Sequence, residues 1–279
     1  LIFTSGIGIL IYQNIDTLGH TVLILLLALL TFICFYFSFK KSPGFKKEQT
    51  KFENPIMDYL VLTANLLSCS LITYLQFQYN TFGTNYSLAT IIPTVVGLFS
   101  GYYFDNKNVV SLAITGLAAS IGLSVSPQSL LQNEFYNTQN LSYSAIALGL
   151  FLLCWNYYSN KTALKTHFSI LFITFALHLL SISCLNNLFG TTYPYIFGII
   201  LGLSTLYFYQ ISKQIKAVSV FFFTVLYAFI AFNYIMVQLI DHFITTSVFE
   251  ALLFFYPFYI IGSIYGFIQL IKNFNKNIQ

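Results

Sequence analysis

Ten apolar runs separated by short polar links take up most of this chain, at about 1–12, 20–39, 56–77, 86–104, 108–124, 143–159, 166–184, 194–211, 217–239 and 250–271. Most approach the ~20 residues an α-helix needs to cross ~30 Å of hydrocarbon. A membrane β-barrel shows alternating segments of about ten residues, whereas these runs are continuous. No water satisfies the backbone inside a bilayer, so helices are the form left to such runs. The expected fold class is all-α, a polytopic transmembrane helical bundle of about ten spans. The first run starts at Leu1 itself, so the expectation is a fragment whose first span is truncated. A cleaved leader is not expected, because a mature chain does not begin inside a helix.

The basic residues set the orientation. All twelve are lysines, and they fall after alternate runs: Lys40, Lys41, Lys46, Lys47 and Lys51; Lys107; Lys161 and Lys165; Lys213 and Lys216; Lys272 and Lys276. The links between carry none. Positive charge near span ends is retained on the cytoplasmic face, so these links and the C-terminus are expected in the cytoplasm of a bacterium, with the chain in its inner membrane. The overall +4 hides an asymmetry: the lysine side also holds Glu48, Glu53, Asp58 and Asp105, leaving +8, while Asp16, Glu134, Asp241 and Glu250 give the other side −4. A basic tract beside a membrane helix reads as a lipid-facing anchor, not a nucleic-acid site. The lack of arginine and the wealth of Phe, Tyr, Ile, Asn and Lys fit an AT-rich bacterial genome.

Exits toward the lysines share aromatic residues: Phe35-Tyr36-Phe37 before Lys40, Tyr102-Tyr103-Phe104 before Lys107, Tyr157-Tyr158 before Lys161, and Tyr207-Phe208-Tyr209 before Lys213. Rings at headgroup depth followed by a snorkelling cation form an interfacial anchor. Phe82-Gly83-Thr84-Asn85-Tyr86 returns as Phe189-Gly190-Thr191-Thr192-Tyr193, four spans later. The expected organisation is an N-terminal hairpin with a basic loop (1–55), then two parallel four-helix repeats (56–165 and 166–279). Gly97-x-x-x-Gly101, Gly198-x-x-x-Gly202 and Gly262-x-x-x-Gly266 are expected on close helix–helix faces. Pro93 and Pro257 sit mid-span, where broken helices sometimes line transport sites, although a packing kink is commoner. Cys34, Cys69, Cys154 and Cys184 lie in or at the ends of apolar runs with no C-x-x-C, and read as small buried hydrophobes.

The run Gly6-Ile7-Gly8-Ile9-Leu10-Ile11-Tyr12-Gln13-Asn14-Ile15-Asp16 resembles the first hairpin of a bacterial family of multi-pass membrane proteins of unknown function (DUF2157-like), where a glycine-containing span ends in Asn-Trp-Asp; Ile15 stands at the tryptophan's place. Asp58-Tyr59-Leu60, Gln76-Phe77-Gln78-Tyr79 with Phe82-Gly83, and Phe104-Asp105-Asn106-Lys107 leading into Ser111-Leu112-Ala113-Ile114 are also similar. The resemblance covers about the first 125 residues. It implies the architecture and leaves activity open.

Ionisable groups within spans are functional candidates by default. Here they are His178, and Glu250 at the start of the last span; Asn65, Asn233 and Gln238 are polar but uncharged. The outer links add Asp16, His20, Glu134, Asp241 and His242. Asp16, His20, His178, Asp241, His242 and Glu250 form the candidate polar cluster, of types that suit zinc or manganese, against the plainer reading of solvated loop residues and one hydrogen-bonded histidine. No metal, catalytic or cofactor residue is assigned. H-E-x-x-H, G-x-S-x-G, the P-loop and C-x-x-C are all missing, so an enzyme is not the expected class, and the cation-free outer face disfavours phosphate chemistry there. The link from Ser126 to Ser142 reads as a short interfacial helix, with a lid as the alternative. The leading expectation is transport or binding of a small or amphipathic molecule. The alternative is a scaffold that meets a membrane-protein partner, or a second copy, through its Gly-x-x-x-Gly faces. The bilayer is the one certain partner expected.

Overall fold

A computed structural model describes residues 5–6, 8–9, 19–125, 138–190, 194–243 and 246–276. Nine long helices follow one another in these residues: α1 (His20–Lys41), α2 (Ile56–Tyr79), α3 (Tyr86–Tyr103), α4 (Lys107–Val125), α5 (Thr138–Lys161), α6 (Ser169–Gly190), α7 (Pro194–Gln214), α8 (Val218–Phe243) and α9 (Thr246–Lys276). A 3-10 turn at Thr166–Phe168 leads into α6, and no strand occurs among the described residues. The all-α expectation holds. Of the ten expected spans, seven helices among the described residues are long and apolar enough to cross a membrane: α1, α2, α4, α5 from Asn140, α6 with its 3-10 turn, α7, and α8 as far as Gln238. α3 and α9 are helical but fall outside that set. Most of the first expected span, and 126–137 of the outer link, lie outside the described residues.

These helices are turned inside out relative to a water-soluble fold. Leu25, Leu29 and Phe32 of α1, Ile199, Leu203 and Leu206 of α7, and Ile261, Ile264, Tyr265 and Ile268 of α9 are exposed at helical spacing. Apolar stripes of this extent suit hydrocarbon rather than water. Serine and threonine lie inside, their hydroxyls bonded one turn back to their own helix. Thr31 donates to the Leu27 carbonyl at 2.7 Å, Ser38 to Cys34 at 2.8 Å, Ser68 to Ala64 at 2.9 Å and Thr224 to Val220 at 2.7 Å. Such back-bonding lets a hydroxyl enter an apolar helix without a partner on another element.

The chain divides into two compact units, Leu1–Ser144 with Cys154–Leu171, and Ala145–Leu153 with Phe172–Gln279. In the first, α1 packs on α2 and α3 on α4, with α2 also against α3. The α3–α4 contact is close because glycine removes bulk from both faces. A Cβ on Gly97 would meet the Ala113 Cβ at 3.1 Å, one on Gly101 would meet Val110 Cγ2 at 2.7 Å, and one on Gly116 would run into the Thr94 hydroxyl. The Gly97/Gly101 pair thus sits on a helix–helix face as expected. Gly202, Gly262 and Gly266 have open space beside them among the described residues. In the second unit α7 and α9 pack on α8. Cys184, Leu185 and Leu188 of α6 join Leu201 of α7 and Ala231 of α8 in its core.

Three turns that carry lysines share one geometry. A left-handed residue ends α3, α5 and α7: Asp105 (φ 60°), Ala163 (φ 53°) and Lys216 (φ 53°). The next amide reaches back five residues, Asn106 to the Gly101 carbonyl at 3.0 Å, Leu164 to Ser159 at 2.9 Å and Ala217 to Ser212 at 3.0 Å. This is the long bond of a Schellman cap. The α5–α6 turn shares it, so this cap is a common helix stop of the lysine-bearing turns.

Candidate functional site

Asn65, midway along α2, is 2 % exposed. Its side-chain amide donates to the Val61 carbonyl at 2.8 Å, and its Oδ1 accepts from Ser100 of α3 at 2.9 Å. Above that bond a groove of about 210 Å³ opens between α2, α3 and α4, lined by Asn65, Thr73, Thr90, Pro93, Thr94 and Thr115 among others. Pro93 has no amide hydrogen, so it cannot donate to the Ala89 carbonyl one turn back; Ala89 is also among the lining residues. Three of the four threonine hydroxyls spend their hydrogens locally: Thr90 on Ser87, Thr94 on Thr90 and Thr115 on Ser111. The groove therefore presents oxygen lone pairs at mid-helix and no charge. It suits a neutral molecule that offers hydrogen-bond donors.

In the second unit, Asn233 donates to the Phe229 carbonyl at 2.7 Å and accepts from the Tyr259 hydroxyl at 2.7 Å. It lines a wider groove of about 360 Å³ between α8 and α9. Gln238 donates to the Tyr234 hydroxyl at 3.3 Å.

The members of the polar cluster with described side chains each have a tyrosine partner within their own unit. His20 Nδ1 and the Tyr74 hydroxyl lie 2.8 Å apart, joining α1 to α2. His178 Nδ1 and the Tyr227 hydroxyl lie 2.8 Å apart, joining α6 to α8, with the Phe223 ring edge-on to the imidazole at 4.7 Å. This is the hydrogen-bonded histidine of the plainer reading. Asp16, and the side chains of Asp241, His242 and Glu250, lie outside the described residues. Among the described residues, no three His, Cys, Asp or Glu side chains come together as metal ligands.

Among the described residues the strongest electrostatic feature lies at the lysine-bearing turns. Asp105, in the α3–α4 turn, has a fully buried side chain that receives four donors. Lys165 Nζ reaches its Oδ2 at 3.1 Å, the Thr50 amide reaches the same oxygen at 2.5 Å and the Thr50 hydroxyl at 3.3 Å, while His167 Nε2 contacts Oδ1. Lys165 is likewise fully buried. Its ammonium also donates to the Glu48 carbonyl at 3.4 Å, lies 5.6 Å from the Phe45 ring centre, and its own amide donates to the Lys47 carbonyl at 2.8 Å. The α1–α2 loop is thus clasped by the α3–α4 and α5–α6 turns. Phe52 seals it from beneath, stacking on Phe104 in a cluster with Val61 and Val109. Asn106 continues the clasp, donating to the Asp58 carbonyl at 2.9 Å while its Oδ1 caps the start of α4 through the Asn108 and Val109 amides, both at 3.1 Å. The carboxylate is saturated with donors, which makes the network a fastener rather than a reactive centre. Its sequence signals are Phe104-Asp105-Asn106-Lys107 and Lys165-Thr166-His167, two short polar links about sixty residues apart.

No family model, curated protein or solved structure matches this chain.

Proposed function

We propose that this chain is an integral membrane protein that binds, and passes along its helices, a small uncharged or amphipathic molecule, with the groove beside Asn65 as its site. The observation that carries this reading is the lining of that groove, where Asn65 and four threonines stand beside Pro93 at mid-helix. A polar group without a partner in hydrocarbon costs several kcal/mol and proline removes one backbone donor from its helix, so a groove with this lining has a use for a donor. The lysine-bearing turns and the C-terminus are read as cytoplasmic in a bacterial inner membrane, as the distribution of lysines supports.

The test is accessibility. In the full chain with Cys34, Cys69, Cys154 and Cys184 changed to serine, Thr94→Cys and Thr115→Cys are treated in sealed vesicles with a charged thiosulfonate. Reaction at both, with Leu67→Cys inert in the buried core, supports a hydrated route. Inertness at both ends the solute reading.

A second reading, a scaffold, is favoured by one observation. Gly262 and Gly266 of α9 have open space beside them, the arrangement that lets another membrane helix approach closely. A Gly262→Leu change that abolishes self-association or co-purification of a partner supports the scaffold.

A further inference from the structure

In the first unit a groove lies between α1 and α3, toward the end of α1 that carries Lys40 and Lys41. Phe32, Phe35, Tyr36 and Phe39 of α1 line one wall and Val96 and Phe99 of α3 the other, enclosing about 400 Å³ of almost wholly apolar space. The α1 residues recur at three and four, so a single stripe of that helix faces the gap. α1 and α3 both pack on α2, and Phe39 bridges them at one end, its ring centre 5.1 Å from that of Tyr103 and 4.8 Å from that of Phe104. Beyond this bridge stand Lys40 and Lys41, both exposed on the last turn of α1. Lys40 folds back so that its Nζ lies 6.0 Å from the centre of the Tyr36 ring, which keeps its charge beside the mouth of the groove.

We propose that this groove is a binding site for an anionic phospholipid of the surrounding bilayer, with one acyl chain between α1 and α3 and the headgroup on Lys40 and Lys41. Three features select this occupant. The walls have almost no polar surface, which excludes a hydrated solute. The volume falls within the ~300–1,000 Å³ of ligand sites, and the groove runs along the helices, from Phe32 to Phe39, for about 10 Å at 1.5 Å per residue. The charge at its end is positive and doubled, complementary to a phosphate diester at headgroup depth. A flat lipid-facing row lacks this combination of a gap and a charged mouth. The Lys213–Tyr209 pair of α7, at 4.1 Å, repeats the cation–ring anchor and serves as the control.

The test is native mass spectrometry of the full chain, equilibrated in detergent with equal amounts of phosphatidylglycerol and phosphatidylcholine of matched chains. The wild-type chain retains one phosphatidylglycerol, preferred by roughly ten- to thirty-fold, the size that two surface lysines supply. Lys40→Gln with Lys41→Gln brings the preference close to parity, and Lys213→Gln leaves it unchanged. Val96→Trp, which fills the groove, lowers retention of both lipids. Equal retention of the two lipids by the wild-type chain, an unchanged preference in the double lysine variant, or an equal loss in Lys213→Gln overturns the proposal. Should Val96→Trp fail to fold, the exposed lysine variants decide the matter alone.

Discussion

Asp105 and Lys165 meet at 3.1 Å with both side chains withdrawn from solvent, each held on a left-handed backbone residue, φ 60° and 52°. A carboxylate and an ammonium buried in this way are tolerable only because each is surrounded by further partners: Thr50 and His167 for the acid, the Glu48 carbonyl and the Phe45 ring for the base.

Removing one member leaves the other charge buried and uncompensated. Lys165→Ala is expected to cost about 3–5 kcal/mol, read as a lowered thermal midpoint of the purified chain. Asp105→Asn combined with Lys165→Met removes both charges and is expected to cost much less than either single change. A double variant as unstable as the sum of the singles would show that the two residues act independently.

The α3–α4 contact predicts a compensating pair. Gly116→Ala drives a methyl group into the Thr94 hydroxyl, and overpacking of this kind costs about 1–3 kcal/mol. Adding Thr94→Ala removes that oxygen and leaves the residue-94 Cβ at 3.5 Å, an ordinary contact, so stability should return. Gly266→Ala, beside open space, should leave the thermal midpoint unmoved.

His178 is expected to behave as a structural residue. Tyr227→Phe removes the partner of its Nδ1 and leaves a partly buried ring nitrogen without that bond, at a cost of about 1 kcal/mol. His178→Phe with Tyr227→Phe replaces the bond by an apolar contact and should recover most of that loss. A double variant that regains stability but loses labelling of Thr115→Cys would instead link His178 to the solute route.

Orientation is checked by fusion. Green fluorescent protein attached after Gln279 should fluoresce, and alkaline phosphatase at the same point should be inactive, if the lysine-bearing ends face the cytoplasm. The opposite pattern reverses the topology.

Much of the secondary structure was legible because length and hydropathy are local properties. The expected run at 86–104 returns as Tyr86–Tyr103, and that at 20–39 as His20–Lys41. Boundaries drifted where polar residues join a helix: α5 starts at Thr138, ahead of the expected 143, and α9 runs on to Lys276. Asn65 was legible as a buried polar residue, since an amide inside an apolar run must find partners. The clasp was not, because Asp105 looks like any loop acid until Thr50 and Lys165, far apart in sequence, close over it. Gly116 was missed for a related reason: it has no second glycine one turn away, and the space it yields is taken up by Thr94 on another helix.

The clasp also sets an order of events during synthesis. The α1–α2 loop and the α3–α4 turn leave the ribosome well before Lys165. At about 5–20 residues per second, Asp105 waits roughly 3–12 s for its cation. Through that interval the first two hairpins can be threaded into the bilayer yet remain unlocked, and only the arrival of the α5–α6 turn latches them. Completion of this unit therefore waits on Lys165 and His167 together, and a chain stalled before them leaves Asp105 with the Thr50 donors alone.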